Sequence, residues 1–351
     1  MTVLVSGGAG FIGANVAHRL LLSGESVRIL DNLSRAGVDK NVRWLEEHHR
    51  GQFDLQVADI RDPEAVRRAV RGVDHVFHFA AQVAVTTSVV DPRLDFDVNA
   101  LGTLNLLEAV RAEPEPPSVI YTSTNKVYGA LDDVGIEPAR LRYEPSDAGL
   151  RASGISEARS LSFHSPYGCS KGTADQYVLD YAHTFGIRAS VFRMSCIYGP
   201  RQFGNEDQGW VAHFLIRALR GEPLTIYGDG KQVRDVLFID DLVDALFRAR
   251  ASMERISGQA FNVGGGPTNT ISLLELVERI EDLTRRQPRL SFERWRVADQ
   301  RWYVSDTRKL TEAVGWAPRT SVFDGVRTLF DWLVEQPENR PRPRAQVTAV
   351  L

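Results

Sequence analysis

The chain has 351 residues, 43% of them hydrophobic, and a formal net charge of −3. This length is enough for a large core in one or two domains, and the lack of a basic excess argues against nucleic acid as a partner. No apolar run has membrane-spanning length, and the first residues predict a strand rather than a signal peptide. Two cysteines, Cys169 and Cys196, predict neither a disulfide framework nor a metal site. We therefore expect a cytoplasmic protein that binds no metal.

The N-terminal segment predicts a strand, a tight glycine turn and a helix. The apolar run Thr2–Ser6 is followed by Gly7-Gly8-Ala9-Gly10-Phe11-Ile12-Gly13 and then by an apolar-periodic stretch. Glycines let the backbone turn sharply and let a pyrophosphate approach the free N–H groups of the helix N-terminus. A second strand, at 26–30, ends at Asp31, whose carboxylate can accept both hydroxyls of an adenine ribose. The pattern predicts dinucleotide binding, with NAD favoured over NADP because a carboxylate repels a 2′-phosphate. Arg35 either argues mildly against this preference for NAD or is an ordinary loop residue.

Strands and helices continue to alternate through the first half of the chain. Further strands are predicted at 54–57, 75–79, 119–122 and 188–193, with helices between them that include 63–71 and 92–111. This alternation predicts an α/β fold, a Rossmann-type doubly wound parallel sheet covered by helices on both faces. Ligands then gather beyond the carboxyl ends of the strands.

The glycine turn and the strand ends together supply the candidate cofactor-binding residues. These are Gly7, Gly10, Phe11, Ile12, Gly13, Asp31, Asn32, Arg35, Asp59, Ile60, Ala80, Ala81, Gln82 and Asn99. Asp59 is placed either to meet the adenine edge or to cap the turn that follows it. Asn99 either lies near the nicotinamide side or caps a turn.

The second half of the chain predicts a smaller mixed α/β cap that binds the substrate. Periodicity loosens after about residue 193, and short helices alternate with loops rich in Gly, Pro and aromatic residues. We expect the NAD-binding domain to comprise 1–193 plus roughly 231–263, and the cap to comprise 194–230 plus 264–335.

Three local features complete this outline of the fold. Ser272 and Glu275 predict a capping box at the start of a late helix. The stretch 130–161 has little periodicity, and an excursion of that length is often a lid. Residues 336–351 are rich in Pro and Arg and are predicted to form a frayed tail.

Tyr167 and Lys171 form the most informative pair in the sequence. Residues four apart share one face of a helix, and Ser165 and Pro166 are a good N-cap and a good first helical residue. An ammonium beside a phenol favours the phenolate, so we expect the pKa of Tyr167 to fall. A phenolate can take the proton of an alcohol while a hydride leaves the same carbon. The pair predicts redox chemistry at an alcohol, with both residues also contacting the cofactor.

These motifs resemble those of the extended short-chain dehydrogenase/reductase superfamily. The resemblance rests on the glycine turn, Asp31, the segment Thr122-Ser123-Thr124 with Val127-Tyr128-Gly129, and Tyr167-x3-Lys171, and it runs from residue 1 to about 335. It implies that Thr124 completes a catalytic triad with Tyr167 and Lys171. It also implies a homo-oligomer, a dimer or tetramer, in which the helices at 92–111 and 166–186 pair.

The residues after Thr124 indicate which chemistry of the superfamily to expect. The nucleotide-sugar dehydratases carry an Asp-Glu pair there and the decarboxylases an acid, whereas this chain has Asn125-Lys126. Without those carboxylates the general acid and base for elimination are missing. Segments such as Gln82–Ser88 and Phe163–Lys171 resemble the epimerases that invert C2 of a CDP-linked 3,6-dideoxy sugar. Epimerases of other nucleotide sugars (CDP- or GDP-glucose at C2, UDP-sugars at C4), dehydratases and non-catalytic NAD-binding regulators remain as alternatives.

A nucleotide-sugar substrate, a CDP-sugar being favoured, implies cationic and polar contacts in the cap. Arg234 and Arg301 are candidates for the diphosphate. Gln82, Thr124 and Gln208 are candidates for the sugar. Trp210 either lines the sugar pocket or packs.

Overall fold

The computed structural model describes residues 1–339. Its strands, in chain order, are β1 Thr2–Ser6, β2 Ser26–Asp31, β3 Phe53–Val57, β4 His75–His78, β5 Ser118–Thr124, β6 Ile136–Pro138, β7 Tyr143–Pro145, β8 Ala189–Met194, β9 Cys196–Tyr198, β10 Leu224–Tyr227, β11 Val233–Phe238, β12 Ala260–Val263, β13 Thr270–Ser272, β14 Leu290–Glu293 and β15 Trp302–Tyr303. Its helices are α1 Phe11–Leu22, α2 Val38–His49, α3 Pro63–Val70, α4 Val85–Val90, α5 Pro92–Phe96, α6 Gly102–Arg111, α7 Ala148–Ser153, α8 Ser165–Phe185, α9 Trp210–Arg220, α10 Ile239–Ala251, α11 Met253–Ile256, α12 Leu273–Thr284, α13 Arg308–Val314 and α14 Val322–Glu335.

Seven parallel strands form the central sheet, in the order β12-β8-β5-β4-β1-β2-β3. The order reverses at β1, which pairs with β2 on one side and β4 on the other. A crevice opens at such a reversal, beyond the carboxyl ends of the strands. The predicted Rossmann-type doubly wound sheet is confirmed, and its switch point positions the site described below.

Helices cover both faces because the side chains of each strand alternate between two cores. Along β1, Val3 and Val5 belong to the larger core, on the side of α1 and α10, whereas Leu4 faces the core beneath α3, α6 and α8. Parallel strands buried in this way need apolar residues at nearly every position. This requirement explains the consecutive apolar residues Val3, Leu4 and Val5 of β1. The buried His75 and His78 of β4 instead form hydrogen bonds, to Ser118 and Thr103.

A second, four-stranded sheet forms the base of the cap. β11 pairs antiparallel with β13 and parallel with β15 and β9, and β10 pairs with β14 beside it. β11 lies within the stretch 231–263 that was assigned to the NAD-binding domain, yet its hydrogen bonds place it in this sheet. The chain returns to the central sheet at β12, after α10 has packed on α1. The division into two domains stays a prediction, with 231–238 better counted with the cap.

The predicted helix at 92–111 is interrupted. α5 and α6 are joined by a π-helical turn, Asp97–Leu101. An extra residue in a helical turn often marks a functional position, and this turn carries Asn99.

Exposed apolar side chains lie along these helices and α8, among them Phe96, Leu101 and Phe185. The predicted homo-oligomer stays a prediction.

The excursion at 130–161 is fixed to the small sheet. It contains the β6–β7 hairpin and α7. The N–H of Ile155 donates to the carbonyl of Val304 at 2.7 Å, and the side-chain amide of Asn262 donates to the carbonyl of Ile155 at 2.8 Å. These bonds hold the end of the excursion beside β15 and β12, and its role as a lid stays a prediction.

The C-terminal end departs from its prediction in the part that the structure describes. Residues 336–339 follow α14 and end in a 3-10 turn, Pro337–Asn339. Asn339 is buried, accepts a hydrogen bond from Arg220 at 3.1 Å and donates to the carbonyl of Leu333 at 3.0 Å. The predicted frayed tail is thus wrong for 336–339, and its remainder, 340–351, lies outside the described residues. No helix of residues 1–339 has both the length and the apolar character to cross a membrane.

Candidate active site

A cavity of about 1160 Å³ opens between the carboxyl ends of the central strands and the cap. Its volume exceeds that of a pocket for one drug-sized ligand. The predicted site residues on its wall are Gly7, Gly10, Phe11, Ile12, Gly13, Asp31, Asn32, Arg35, Asp59, Ile60, Ala80, Ala81, Gln82, Thr124, Tyr167, Lys171, Gln208 and Arg234. The cavity therefore has room for a dinucleotide beside a second ligand.

Glycines shape the turn between β1 and α1. Gly7 has φ +70°, and a Cβ there would lie 2.6 Å from the amide nitrogen of Ala80. A Cβ on Gly13 would lie 2.3 Å from the carbonyl oxygen of Gly7, so only glycine lets α1 approach the turn this closely. Among the described residues no side chain caps α1 at Gly10. The first N–H groups of the helix are thus available to a pyrophosphate.

Asp31 closes the far side of that turn. Its carboxylate accepts the N–H of Ala9 at 3.0 Å and the N–H of Leu33 at 2.9 Å. Burial raises the pKa of Asp31, while these backbone donors lower it. Two backbone donors fix the carboxylate at the end of β2, where it can accept the hydroxyls of an adenine ribose. The residues present fit a bound NAD.

Asp59 caps the turn that follows it and also faces the cavity, and its contact with the adenine edge stays a prediction. It lines the cavity, and it accepts hydrogen bonds from the N–H of Arg61 and the side chain of Asn32, each at 2.9 Å. Hydrogen bonding from the Arg61 side chain holds the pKa of Asp59 well below its usual range. Arg35 lies on the same cavity wall, where its positive charge lowers the pKa of Tyr167.

The Gln82 loop is held from behind by the π-helical turn. Asn99 accepts the N–H of Gln82 at 2.9 Å and donates to the Gln82 carbonyl at 3.0 Å and to Ser170 at 3.1 Å. In the described structure Asn99 lies behind the cavity wall, so it braces the loop against α8 and does not face the cofactor. The side-chain amide nitrogen of Gln82 donates to the carbonyl of Ala84 and to the carboxylate of Asp95. Few hydrogen-bonding groups of this side chain are therefore left to bind the sugar.

The start of α8 places Tyr167 and Lys171. The hydroxyl of Ser165 accepts the N–H of Gly168 at 3.2 Å, as an N-cap residue does. Its φ of +68° is not helical, so Ser165 acts as the predicted cap although α8 is counted from this residue. The N–H of Tyr167 donates to the Ser88 hydroxyl at 3.1 Å. Both contacts fix the first turn, from which Tyr167 reaches the cavity.

The electrostatics of the pair differ from the prediction. Burial raises the pKa of Tyr167 to about 12, and the hydrogen bond with Thr124 and the charge of Arg35 lower it only in part. The Lys171 ammonium donates instead to the carbonyl of Thr122, at 2.6 Å, and lies over the ring of Tyr121. The expectation that Lys171 lowers the pKa of Tyr167 is wrong for the chain alone, because burial dominates and the ammonium bonds to β5.

Lys171 is itself a perturbed group. Burial lowers its pKa to about 7, against the opposing charges of Asp175 and Asp95. Asp175 lies one helical turn further along α8 and forms a buried ion pair with Arg193 at 2.9 Å. A strongly shifted pKa in a cavity is typical of an active site.

Thr124 lies at the end of β5, on the cavity wall. Its hydroxyl accepts the N–H of Lys126 at 3.2 Å and lies 3.3 Å from the side-chain oxygen of Asn125. Asn125 also contacts the buried Gln300 at 3.3 Å. The two residues that replace the expected acids are therefore part of the site.

Arg234 and Arg301 have different positions. Arg234 lines the cavity, and its guanidinium donates to Asp299 at 2.6 Å. Arg301 is exposed and lies against Trp295 in a neighbouring depression rather than on the cavity wall, and its contact with the diphosphate stays a prediction. Arg294 and Arg296, which lie five and three residues before Asp299, also line the cavity. Sequence reasoning missed both because no motif marked them.

Gln208 and Trp210 lie on the cap side of the cavity. The indole N–H of Trp210 contacts the sulfur of Cys196 at 3.4 Å, so Trp210 both packs and lines the wall. Burial raises the pKa of the Cys196 thiol, which favours its uncharged form. Cys196 is therefore a packing residue of the site and not a nucleophile.

Comparison with known proteins agrees with this geometry. The chain belongs to the NAD dependent epimerase/dehydratase family, whose model matches residues 3–264. Membership of the extended short-chain dehydrogenase/reductase superfamily and the NAD cofactor are thereby confirmed. The chain is an enzyme of the epimerase class.

Particular relatives cover almost the whole chain. It is 45% identical to CDP-paratose 2-epimerase of Salmonella typhi, over 95% of this chain and 99% of that one. The crystal structure of UDP-glucose 4-epimerase from Thermotoga maritima with UDP-glucose has a TM-score of 0.80 at 29% identity, with 95% and 99% of the two chains covered. UDP-glucuronic acid 4-epimerase from Bacillus cereus, solved with UDP-glucuronic acid and NAD, has a TM-score of 0.81 at 27% identity and the same coverage.

Proposed function

We propose that the protein is an NAD-dependent nucleotide-sugar epimerase that converts CDP-paratose to CDP-tyvelose by transient oxidation at C2. The observation that carries the proposal is the meeting of Thr124, Tyr167 and Lys171 with the dinucleotide groove in one cavity. The 45% identity to a CDP-paratose 2-epimerase over nearly the full length of both chains supports the choice of substrate.

C2 is the carbon to oxidise because of the chemistry of the sugar. Paratose is a 3,6-dideoxy sugar, and a ketone at C4 would acidify C3 and C5 but leave C2 untouched. Inversion at C2 is simplest when C2 itself becomes the ketone. The sugar then turns over, and the hydrogen returns to the opposite face.

The residues of the chain have distinct parts in this cycle. Thr124 donates a hydrogen bond to the C2 oxygen and holds it beside Tyr167. The Tyr167 phenolate takes the hydroxyl proton during oxidation and gives it back during reduction, so the proton is conserved over one turnover. The charge of Arg35 favours the phenolate form of Tyr167, and Lys171 bonds the nicotinamide ribose. NAD held in the groove would supply the acceptor and donor of the C2 hydride.

Burial favours the protonated, inactive form of the Tyr167 phenol. A phenol with a pKa of about 12 is protonated at neutral pH, so the phenolate forms only with help from nearby positive charge. Arg35 already acts in this direction in the chain alone. Lys171, with a pKa of about 7, can hold or release a proton near neutral pH.

The residues that follow Thr124 on the cavity wall argue against the alternative of a dehydratase. Elimination of water needs a carboxylic acid and a carboxylate beside the sugar. Asn125 and Lys126 occupy that place, and Asn125 is engaged with Gln300. The neighbouring carboxylate Asp299 is bound by Arg234 and Lys126, and their charges lower its pKa against the effect of burial. A carboxylate held ionised in this way is a poor proton donor.

A panel of nucleotide sugars tests the proposal. Purified enzyme is incubated separately with CDP-paratose, CDP-glucose, GDP-glucose, UDP-glucose and dTDP-glucose, and products are identified by proton NMR. We expect inversion at C2 of CDP-paratose to be fastest by at least about tenfold in kcat/KM, equivalent to roughly 1.4 kcal/mol. Conversion of UDP-glucose at C4, or a 4-keto-6-deoxy product from dTDP-glucose, without turnover of CDP-paratose would overturn the assignment. NAD bound without turnover of any sugar would favour a regulator.

A further inference from the structure

Lys126 is a partly buried cationic residue of the cavity that has no role in the cycle above. It follows Thr124 by two residues, and its N–H donates to the Thr124 hydroxyl. Its side chain lines the cavity and is 18% exposed. Its Nζ donates to the carbonyl of Ala298 at 3.1 Å and lies 3.6 Å from Oδ1 of Asp299.

The charges around Lys126 favour an anionic ligand. Asp299 Oδ1 also accepts Arg234 at 2.6 Å, so two cations share one carboxylate oxygen and one positive charge remains unbalanced in this group. An ammonium has three N–H donors, and Lys126 uses one of them on the Ala298 carbonyl, which leaves donors for a ligand. Burial lowers the pKa of Lys126 while Asp299 raises it, and a bound anion would stabilise the charged form further.

The covalent structure of a nucleotide sugar indicates which anionic group would lie beside Lys126. Its diphosphate is attached at C1, and C2 is bonded directly to C1, whereas C4 lies across the pyranose ring. When the C2 oxygen is held by Thr124, the sugar-linked phosphate must therefore lie close to Thr124. A C4 oxygen at the same place would carry that phosphate to the far side of the ring. A cation two residues after Thr124 fits the first arrangement.

We propose that Lys126 binds the phosphate attached to C1 and so presents C2, rather than C4, to Tyr167. The inference rests on the proposed function and adds to it a residue that determines which carbon reacts. Arg234 and Asp299 extend the contact: Arg234 binds the same diphosphate, and Asp299 balances the two cations before the ligand arrives. Gln300 and Asn125 hold the two segments together, since Gln300 also donates to the carbonyl of Gly129 at 2.7 Å.

Binding of nucleotides to the NAD-loaded enzyme tests the contact. Lys126→Met keeps the length of the side chain and removes its charge. By calorimetry we expect the Kd of CDP and of CDP-paratose to rise about tenfold or more, as for loss of a hydrogen bond to a charged group. The Kd of CMP, which lacks the sugar-linked phosphate, should stay within about twofold of wild type. We also expect kcat on CDP-paratose to fall, because C2 is no longer held in place.

Lys309→Met is the matched control. Lys309 is also partly buried and donates to a carbonyl, that of Ala260, at 2.8 Å, but it lies outside the cavity in the described structure. Its removal should leave all three Kd values unchanged. Where Lys126→Met fails to fold, Lys126→Gln takes its place under the same criterion. Unchanged CDP affinity, or equal losses for CMP and CDP, would overturn the role of Lys126.

The outcome is separable from the proposed function. Wild-type enzyme that binds CDP yet leaves CDP-paratose unconverted would refute the proposed function. The comparison of CMP with CDP would still decide whether Lys126 contacts that phosphate. Conversely, an active wild type whose Lys126→Met variant binds CDP normally would refute the inference alone.

Discussion

Tyr167→Phe is expected to reduce kcat for epimerisation by about a thousandfold or more while NAD stays bound. Positioned general bases contribute roughly 10²- to 10⁴-fold, and phenylalanine removes only the hydroxyl oxygen. The ring is 8% exposed and packs at the start of α8, so the fold and the glycine turn should be unaffected. Activity is followed by NMR, and bound NAD by absorbance after denaturation.

Tyr177→Phe provides the comparison for this substitution. Tyr177 is on the same helix, is 43% exposed and lies outside the cavity in the described structure. Its hydroxyl should be dispensable for turnover. Near-normal turnover by Tyr167→Phe would rule out the proton transfer on which the proposed mechanism depends.

Lys171→Met is expected to lose activity about a hundredfold or more and yet to raise the stability of the folded chain at pH 7. Burial lowers the pKa of Lys171 from 10.5 to about 7, which corresponds to roughly 5 kcal/mol of unfavourable free energy at neutral pH. Loss of the hydrogen bond to Thr122 costs about 1–3 kcal/mol. The free energy recovered by removing the buried ammonium is larger than the loss of the hydrogen bond. The folded state of the methionine variant should therefore be more stable than that of the wild type.

The sign of the pH dependence separates this explanation from simple packing. Between about pH 7 and 10.5 the unfolded wild type holds a proton on Lys171 that the folded wild type lacks. Wild-type stability therefore gains up to ~1.4 kcal/mol per pH unit over that window, a term that the variant lacks. Urea unfolding of both proteins, freed of NAD, at pH 7 and pH 9.5 should show the advantage of the variant shrinking. An advantage that is constant with pH would contradict the buried-ammonium account.

The central sheet was predictable because its signals are local. Apolar runs, the glycine turn and Asp31 specify β1, α1 and β2 within a residue or two, and Ser272 with Glu275 forms the predicted capping box. A mixed α/β cap was predicted, but the strands of its sheet were not located, because β11 meets β9, β13 and β15 from distant parts of the chain. Its strands are short, and only tertiary pairing makes them strands.

The site shows the same limit. Thr124, Tyr167 and Arg234 reach the cavity as motifs predicted, whereas contacts that depend on three-dimensional packing did not follow from spacing. Asn99 lies in the π-helical turn and bonds the Gln82 loop, and Arg301 lines a neighbouring depression whereas Arg296 also lines the cavity. The direction of the Lys171 ammonium, toward β5 and not toward Tyr167, likewise depends on burial that a sequence does not display.

Oxidation and return of hydrogen at C2 is tested most directly by isotope transfer. CDP-paratose carrying deuterium at C2 is converted in ordinary water, and the CDP-tyvelose formed is analysed by NMR and mass spectrometry. Hydride held on the bound cofactor and returned to the same sugar predicts that the deuterium remains at C2 of the inverted product. Replacement of that deuterium by solvent hydrogen would show a carbanion route and contradict the proposed mechanism.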